Sequence, residues 1–318
     1  MPYDCRQTIR RQIHVPKGGR RTGAGRPLGS GRFGEPARSV RVPLSLLGEV
    51  SELLAAHNRS RADTAASRIA AVDPTPEQLV LPRPGRALVR GPIGALELLA
   101  QLHAAGVKAR AVVLDPMYRN KNVPGRAAYL AETIPLITAA SQVAPHIFIW
   151  GFPESVARLV DHWPSHLKLE GWLTWFFKNA PSRSKSWRPS QQTCLHLRRR
   201  DGKLYPEHFY SEKHRALAAA NRLEFKMTPY SVFQEALLSG FIKRSEQTGF
   251  RYQKPESVIE PLLRMTTKPG DLVIDPTAGS GTTGAAAVRL GCAALLSDRS
   301  AAAIKLCRER LAAHLDSP

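Results

Sequence analysis

From Ala87 onward, short apolar runs alternate with segments whose apolar residues recur at helical spacing. ALVRG (87–91) reads as a buried strand, after which Ala95, Leu98, Leu99 and Leu102 share one helix face. AVVL (111–114) is a second strand, a helix follows around Leu130, Ile134 and Ile137, and HIFIW (146–150) is a third strand. WLTWFF (172–177) and TCLHL (193–197) continue the series. Short strands that are apolar throughout and end at turn signals are typical of parallel sheets covered on both faces. The alternation fades between Arg198 and Tyr252, and Val258, Leu262 and Met265 then mark a helix. Pro261 is expected in its first turn or at a kink. The chain closes with strand LVI (272–274), a glycine-rich turn, a helix through Ala285 to Leu290, strand AALLS (293–297), and a helix aligning Ile304, Cys307, Leu311 and Leu315. That is a βαβα unit, and the pattern as a whole predicts an α/β fold.

Upstream the pattern is different. Residues 1–43 are glycine-rich and basic, with only Asp4 and Glu35 as acids, and are expected to be largely disordered when free. A short β-prone stretch (39–42) leads to Leu44, Leu47, Val50 and Leu54 at helical spacing, and DPTPEQ and LPRPG mark a linker. The expected organisation is a basic extension over 1–56, a linker over 57–86 and an α/β domain over 87–318, within which 199–252 stands apart.

Charge changes the picture more than composition does. The 318 residues carry 46 Lys+Arg against 26 Asp+Glu, a formal charge of +20, which favours a polyanionic partner such as nucleic acid or an acidic membrane surface. No apolar run reaches the roughly 18–20 residues of a membrane span, and the N-terminus lacks a secretory apolar core, so a cytoplasmic protein is expected. Cys5, Cys194, Cys292 and Cys307 are scattered, and His196, His208 and His214 show no ligand spacing with an acid. Neither a metal site nor a disulfide framework is expected.

In LVIDPTAGSGTTG, Gly279, Gly281 and Gly284 satisfy G-x-G-x-x-G between a strand and a helix, where a ligand can approach the backbone. Asp298 closes the next strand, in place to take the ribose hydroxyls of an adenosine-containing cofactor. A tight structural turn, a nicotinamide-dinucleotide site and an S-adenosylmethionine site all fit this spacing. Asp275 favours the last, because a carboxylate before the loop repels a pyrophosphate and tolerates a cationic sulfonium. A second signal is Asp115-Pro116-Met117-Tyr118, directly after strand AVVL, at the sheet edge where open α/β folds bind ligands.

Together these segments resemble the amino-group DNA methyltransferases, which carry a D-P-P-Y catalytic tetrapeptide and a D-P-F-A-G-S-G-T-T cofactor loop. The tetrapeptide precedes the loop, as in the permuted class called beta, and Gln253-Lys254-Pro255 is similar to that class's K-P element. The resemblance covers roughly 86–315. It implies a Rossmann-like S-adenosylmethionine-dependent methyltransferase fold with a mostly parallel twisted sheet, to which the basic N-terminal extension is added. It further implies that Asp275, Pro276, Gly279, Ser280, Gly281 and Thr282 line S-adenosylmethionine, that Asp298 holds its ribose, and that Lys254 and Pro255 flank it. Asp115, Pro116 and Tyr118 are implied to be catalytic. Three positions depart from the pattern: Met117 replaces the second proline, Thr277 replaces an aromatic, and Gly91-Pro92 stands where many relatives have Gly-Asp.

The chemistry suits those residues. The lone pair of an adenine or cytosine amino group is delocalised into the ring until its hydrogens are drawn out of conjugation. Asp115 and the Pro116 carbonyl can each accept one hydrogen, leaving the nitrogen free to attack a sulfonium methyl in line. Tyr118 is suited to stack on a base flipped out of the duplex. The chain has no Pro-Cys, the dipeptide that carbon-5 cytosine methylation uses. Relatives acting on cytosine more often begin the tetrapeptide with Ser, which favours adenine N6.

Double-stranded DNA is the expected partner. Arg26, Pro27 and Arg32 lie in a segment resembling an AT-hook, for which a generic basic tail is the alternative. The loop KNAPSRSKSWR (178–188) offers Lys178, Arg183, Lys185 and Arg188 for phosphate contact and also carries Trp187; a solvated surface loop is the alternative. Residues 199–252 interleave cations and aromatics in the slot that holds the family's target-recognition region. An RNA base methyltransferase and a catalytically degenerate DNA-binding relative are the rival readings. Oligomeric state is left open by the sequence, a homodimer included.

Overall fold

The computed structural model describes residues 80–116, 126–180, 187–225, 227–238, 245–250 and 252–316. The chain divides into two units, Met1–Val50 and Ser51–Pro318, and every described residue belongs to the second. The basic extension with Arg26, Pro27 and Arg32 lies outside the described residues, as do Met117, Tyr118, Arg183 and Lys185.

Eight strands form one sheet: β1 (Ala87–Val89), β2 (Ala111–Leu114), β3 (His146–Gly151), β4 (Leu167–Phe176), β5 (Gln191–Arg199), β6 (Val232–Gln234), β7 (Leu272–Asp275) and β8 (Ala293–Leu296). Their order is β1-β8-β7-β2-β3-β5-β4-β6, and every pairing is parallel except the two made by β5. The helices are α1 (Ala95–Ala104), α2 (Arg126–Val143), α3 (Pro153–Val156), α4 (Glu212–Ala219), α5 (Glu256–Thr266), α6 (Thr282–Arg289) and α7 (Ala301–Leu311).

Uniformly apolar strands are explained by two cores, one on each face of the sheet. Because side chains alternate along a strand, Val112 and Leu114 join Ile147 and Ile149 under α1 and α2, whereas Ala111 and Val113 face α5, α6 and α7 with Val273 and Leu296. The result is a three-layer α/β domain whose parallel strands all end at one edge.

Several sequence expectations shift. The buried ridge of α2 runs through Tyr129, Thr133, Ile137 and Ala140, leaving Leu130 and Ile134 half-buried, because the helix rolls one position toward the sheet. Strand β4 begins five residues before the apolar run, since Lys168 and Glu170 face solvent at its start. Leu315 lies beyond α7 and forms a parallel bridge with Ala87 instead of completing the helix. Pro261 sits in the interior of α5, where the Ser257 carbonyl it leaves without an amide belongs to an exposed residue that water can reach. The stretch after Arg198 contains α4 and β6, both too exposed to show periodicity. Arg83 and Arg86 bond Asp316, so the last residues before β1 are tied to the chain's other end. No described helix is long and apolar enough to cross a membrane.

One buried polar pair gives the sheet a pH dependence. His146 and His196, on neighbouring strands β3 and β5, are 0% and 5% exposed, and their Nδ1 and Nε2 atoms lie 3.0 Å apart. The Lys203 carbonyl, 3.1 Å from His146 Nε2, can only accept, so that nitrogen carries the proton and His146 Nδ1 accepts from His196 Nε2–H. Protonating His146 would set two donors against each other. Burial, with Arg110 and Arg198 nearby, pushes His146 down to about 4, and burial also holds His196 well below the usual histidine range. Between roughly pH 6.5 and 4 the unfolded chain therefore binds protons that the folded one refuses, and stability falls as pH falls. For His146 alone this amounts to about 3 kcal/mol across the window. Thermal denaturation from pH 7 to 4.5 should show a steeper loss of Tm in the wild type than in His146→Gln; equal slopes would refute it.

Candidate active site

Strands β8, β7, β2 and β3 are consecutive neighbours and all parallel, so the residues that follow or close them meet at one edge. Asp275 closes β7, Asp115 and Pro116 follow β2, Trp150 lies near the end of β3, and Asp298 follows β8. The acid-proline corner and the glycine turn, far apart in sequence, thus stand side by side.

A hydroxyl joins them directly. The Asp115 amide donates to Thr277 Oγ1 at 2.8 Å, and that hydroxyl donates onward to Asp275 Oδ1 at 3.1 Å. The directions are fixed, since an amide only donates and an ionised carboxylate only accepts. Asp275 also accepts the Thr277 amide at 3.0 Å on Oδ1 and the Thr283 hydroxyl on Oδ2. Burial raises Asp275 to about 6, against the pull of the Thr283 and Thr277 hydrogen bonds, so it is ionised at neutral pH. With two bonds from Thr277 of its own loop, one from Thr283 in the first turn of α6, and 3% exposure, Asp275 shapes the turn from behind.

The Asp115 side chain is held from the other side. Its Oδ2 pairs with the Lys254 ammonium, which is 6% exposed and lies over the Trp150 ring at 5.2 Å. Lys254 is thereby placed at Asp115 as well as beside the glycine loop. Pro255 caps α5, and the Lys254 carbonyl accepts the Thr282 hydroxyl at 3.0 Å.

The turn needs its glycines. Gly279 and Gly281 have φ of +52° and +78°, a region open mainly to glycine. A Cβ on Gly281 would lie 2.7 Å from Cys307 Sγ, so α7 fills the space behind the loop. On Gly279 a Cβ would meet the Phe250 ring at 3.1 Å. Asp298 accepts the Gly279 amide at 3.1 Å and the Ser300 amide at 2.8 Å, one on each oxygen, and each oxygen keeps a second lone pair for a hydroxyl. Carboxylates at Asp275 and Asp298 suit a cofactor with hydroxyls and positive charge better than a pyrophosphate.

Arg310, which the sequence did not single out, ties this assembly together. It is 9% exposed, donating to Thr282 Oγ1 at 3.0 Å, the Ser280 carbonyl at 3.3 Å and Glu256 Oε1 at 2.7 Å, with Glu246 Oε2 at 3.7 Å. Phe250, Thr277 and Trp150 were also not recognised as parts of the site. An isolated Phe or Arg carries no local signal, whereas Trp150 could have been suspected from its place at the end of the strand beside β2.

The other expected contacts are spread out. Lys178 and Arg188 are exposed, and Trp187 is 87% exposed beside them. Within 199–252, Tyr205 and Tyr210 are buried, Phe209 stacks under Arg264 at 4.8 Å, and Tyr230 is 89% exposed. Burial keeps Cys194, Cys292 and Cys307 as thiols, raising Cys307 to about 12. No group of three metal-ligating side chains occurs among the described residues.

Comparison with known proteins bears on this site. A family model described as DNA methylase, of the N6/N4 type, matches residues 111–309. The chain is 30% identical over 145 residues to the type II methyltransferase M2.DpnII of Streptococcus pneumoniae, covering 44% of this chain and 50% of that protein. A similar match, 29% over 143 residues, covers 44% of this chain and 49% of the type II methyltransferase M2.LlaDCHI of Lactococcus lactis subsp. cremoris. The chain thus spans about half the length of the curated relatives it matches. Among solved structures, the M1.HpyAVI–SAM complex is similar at 20% identity with a TM-score of 0.50, over 71% of this chain and 98% of that one. The PvuII DNA methyltransferase, described as cytosine-N4-specific, is similar at 16% identity with a TM-score of 0.52, over 74% and 90%. Both likenesses concern the fold.

Proposed function

This chain belongs to the N6/N4 DNA methylase family, and from that premise we propose that it transfers a methyl group from S-adenosylmethionine to an exocyclic amino group in double-stranded DNA, adenine N6 in preference to cytosine N4. The observation that supports the reading is the 2.8 Å hydrogen bond from the Asp115 amide to Thr277, which joins the Asp115-Pro116 corner to the glycine turn. The permuted order of the two motifs and the type II relatives support site-specific modification.

S-adenosylmethionine, when bound, supplies the methyl group on its sulfonium. Gly279, Ser280, Gly281 and Thr282 form the turn that receives it, with Pro276 at its start, and Asp298 takes its ribose hydroxyls. Asp275 acts through the turn it braces. Lys254 and Pro255 border the site. Asp115 and the Pro116 carbonyl accept the two hydrogens of the target amine, and Lys254 fixes the Asp115 carboxylate so that the amine finds it already oriented. Tyr118 stacks on the flipped base. Lys178, Arg183, Lys185 and Arg188 contact phosphates, and Arg26, Pro27 and Arg32 add the hook-like contact. The region 199–252 reads the target sequence.

Incubation with labelled S-adenosylmethionine and either duplex DNA or RNA, followed by identification of the modified nucleoside, tests the proposal. N6-methyldeoxyadenosine is expected. N4-methyldeoxycytidine would overturn the choice of base, label in RNA alone the choice of nucleic acid, and label in neither the assignment as an active enzyme.

A further inference from the structure

We infer that Thr277 is a positioning residue for methyl transfer, setting the backbone of the Asp115-Pro116 turn through a hydroxyl relay anchored on buried Asp275. The inference deepens the reading above and rests on it. Two of the departures from the family pattern bear on it together. Met117 removes a proline that would stiffen the turn from within, and Thr277 stands where relatives carry an aromatic that has no hydroxyl to offer.

Strand geometry explains why such a brace matters. The pairing of β2 with β7 joins Ala111 to Val273 and Val112 to Ile274, while β2 stays paired with β3 as far as Leu114, after which the chain leaves the sheet at the Asp-Pro corner. At that point the Asp115 amide takes Thr277 Oγ1 as acceptor in place of a strand carbonyl. The hydroxyl is itself immobilised, because its proton goes to Asp275 Oδ1, and the Thr277 amide goes to the same oxygen. Asp275 cannot swing away, being 3% exposed and held by Thr283. The relay therefore transmits the rigid position of the glycine turn to the residue whose carboxylate and following carbonyl meet the amine. Lys254 fixes the end of the Asp115 side chain, and Thr277 fixes its root.

Thr277→Val keeps the shape and removes the hydroxyl, while Thr277→Ser keeps the hydroxyl. Because a misplacement of about 1 Å at a reacting group can cost on the order of 100-fold, Thr277→Val should lower kcat by about 10- to 100-fold. Its dissociation constant for S-adenosylmethionine should change by less than about threefold, since the turn's own glycines remain. Thr277→Ser should restore kcat to within about threefold of wild type. Hydrogen exchange of the Asp115 amide gives a second readout that needs no activity: protection is expected in wild type and Thr277→Ser, and its loss in Thr277→Val. An unchanged kcat in Thr277→Val, or losses of kcat and cofactor affinity that run in parallel, would overturn the inference. If the wild type modified no DNA, the functional reading would fall first, and equal exchange in wild type and Thr277→Val would then overturn the brace on its own.

Discussion

Asp115→Ala should reduce methyl transfer to duplex DNA by about 1,000-fold or more, while binding of S-adenosylmethionine weakens by no more than about tenfold. The asymmetry follows from what each group touches. The turn's glycines and Asp298 lie in the turns that follow β7 and β8, whereas the Asp115 side chain pairs with Lys254. Loss of the carboxylate removes an acceptor that the amine needs as its nitrogen becomes nucleophilic, an interaction realised in the transition state more than in the ground state. The modest loss of affinity comes from Lys254, whose nearly buried ammonium would lose its Asp115 ion pair close to a cationic ligand.

Loss of that ion pair also destabilises the fold, so Asp115→Asn is the cleaner companion. The amide keeps one oxygen acceptor and similar shape, and it should retain more stability than Ala while still losing most of the activity. Single-turnover transfer measured beside calorimetric titration of the cofactor separates the two effects. If turnover and cofactor affinity fell by the same factor in both variants, Asp115 would belong to the cofactor's binding surface and not to the chemistry.

Local signals and spatial ones were unequally legible. The glycine turn announced itself, because a left-handed backbone at Gly279 and Gly281 demands glycine and writes the demand into the sequence. Asp115 and Pro116 were legible for a similar reason, as a polar pair ending an apolar strand. Hydrophobic periodicity located β1, β2, β3, β5, β7 and β8, which are largely buried, caught β4 only in its apolar second half, and missed β6 and α4, where exposure erases the pattern. What could not be read were bonds between distant segments. Lys254 was expected beside the cofactor and is found paired to Asp115, and Thr277 looked only like a lost aromatic until its hydroxyl was seen between two motifs. The His146–His196 pair is of the same kind: each histidine sits in its own apolar strand, and only the antiparallel register of β3 and β5 brings them together.

Arg310 is the most consequential of these unseen contacts, and Arg310→Ala should show the opposite signature to Asp115→Ala. Its guanidinium bonds both the glycine turn, through Ser280 and Thr282, and the start of α5, through Glu256. Glu256 and Glu246 are themselves linked, the Glu256 amide donating to Glu246 Oε2 at 2.9 Å. Without Arg310 the Glu256 carboxylate, 10% exposed, would retain Arg289, which is 58% exposed and therefore a weaker partner. Breaking a buried pair by removing one member costs about 3–5 kcal/mol, which for a domain of this size lowers Tm by about 10 °C. Because Thr282 also bonds the Lys254 carbonyl, the turn and the segment carrying Lys254 would loosen together, and affinity for S-adenosylmethionine should fall by at least about tenfold. Turnover at saturating cofactor should suffer less, since the Arg310 bonds run to Ser280, Thr282 and Glu256 and act on the Asp115 contacts with Thr277 and Lys254 only indirectly. Arg310→Lys retains the charge without the fork and should fall between wild type and Ala in both Tm and affinity. Thermal denaturation and cofactor titration on the three proteins decide the matter: a Tm within about 2 °C of wild type for Arg310→Ala would mean that the glycine turn is held by its own backbone, with α7 serving only as the wall behind Gly281.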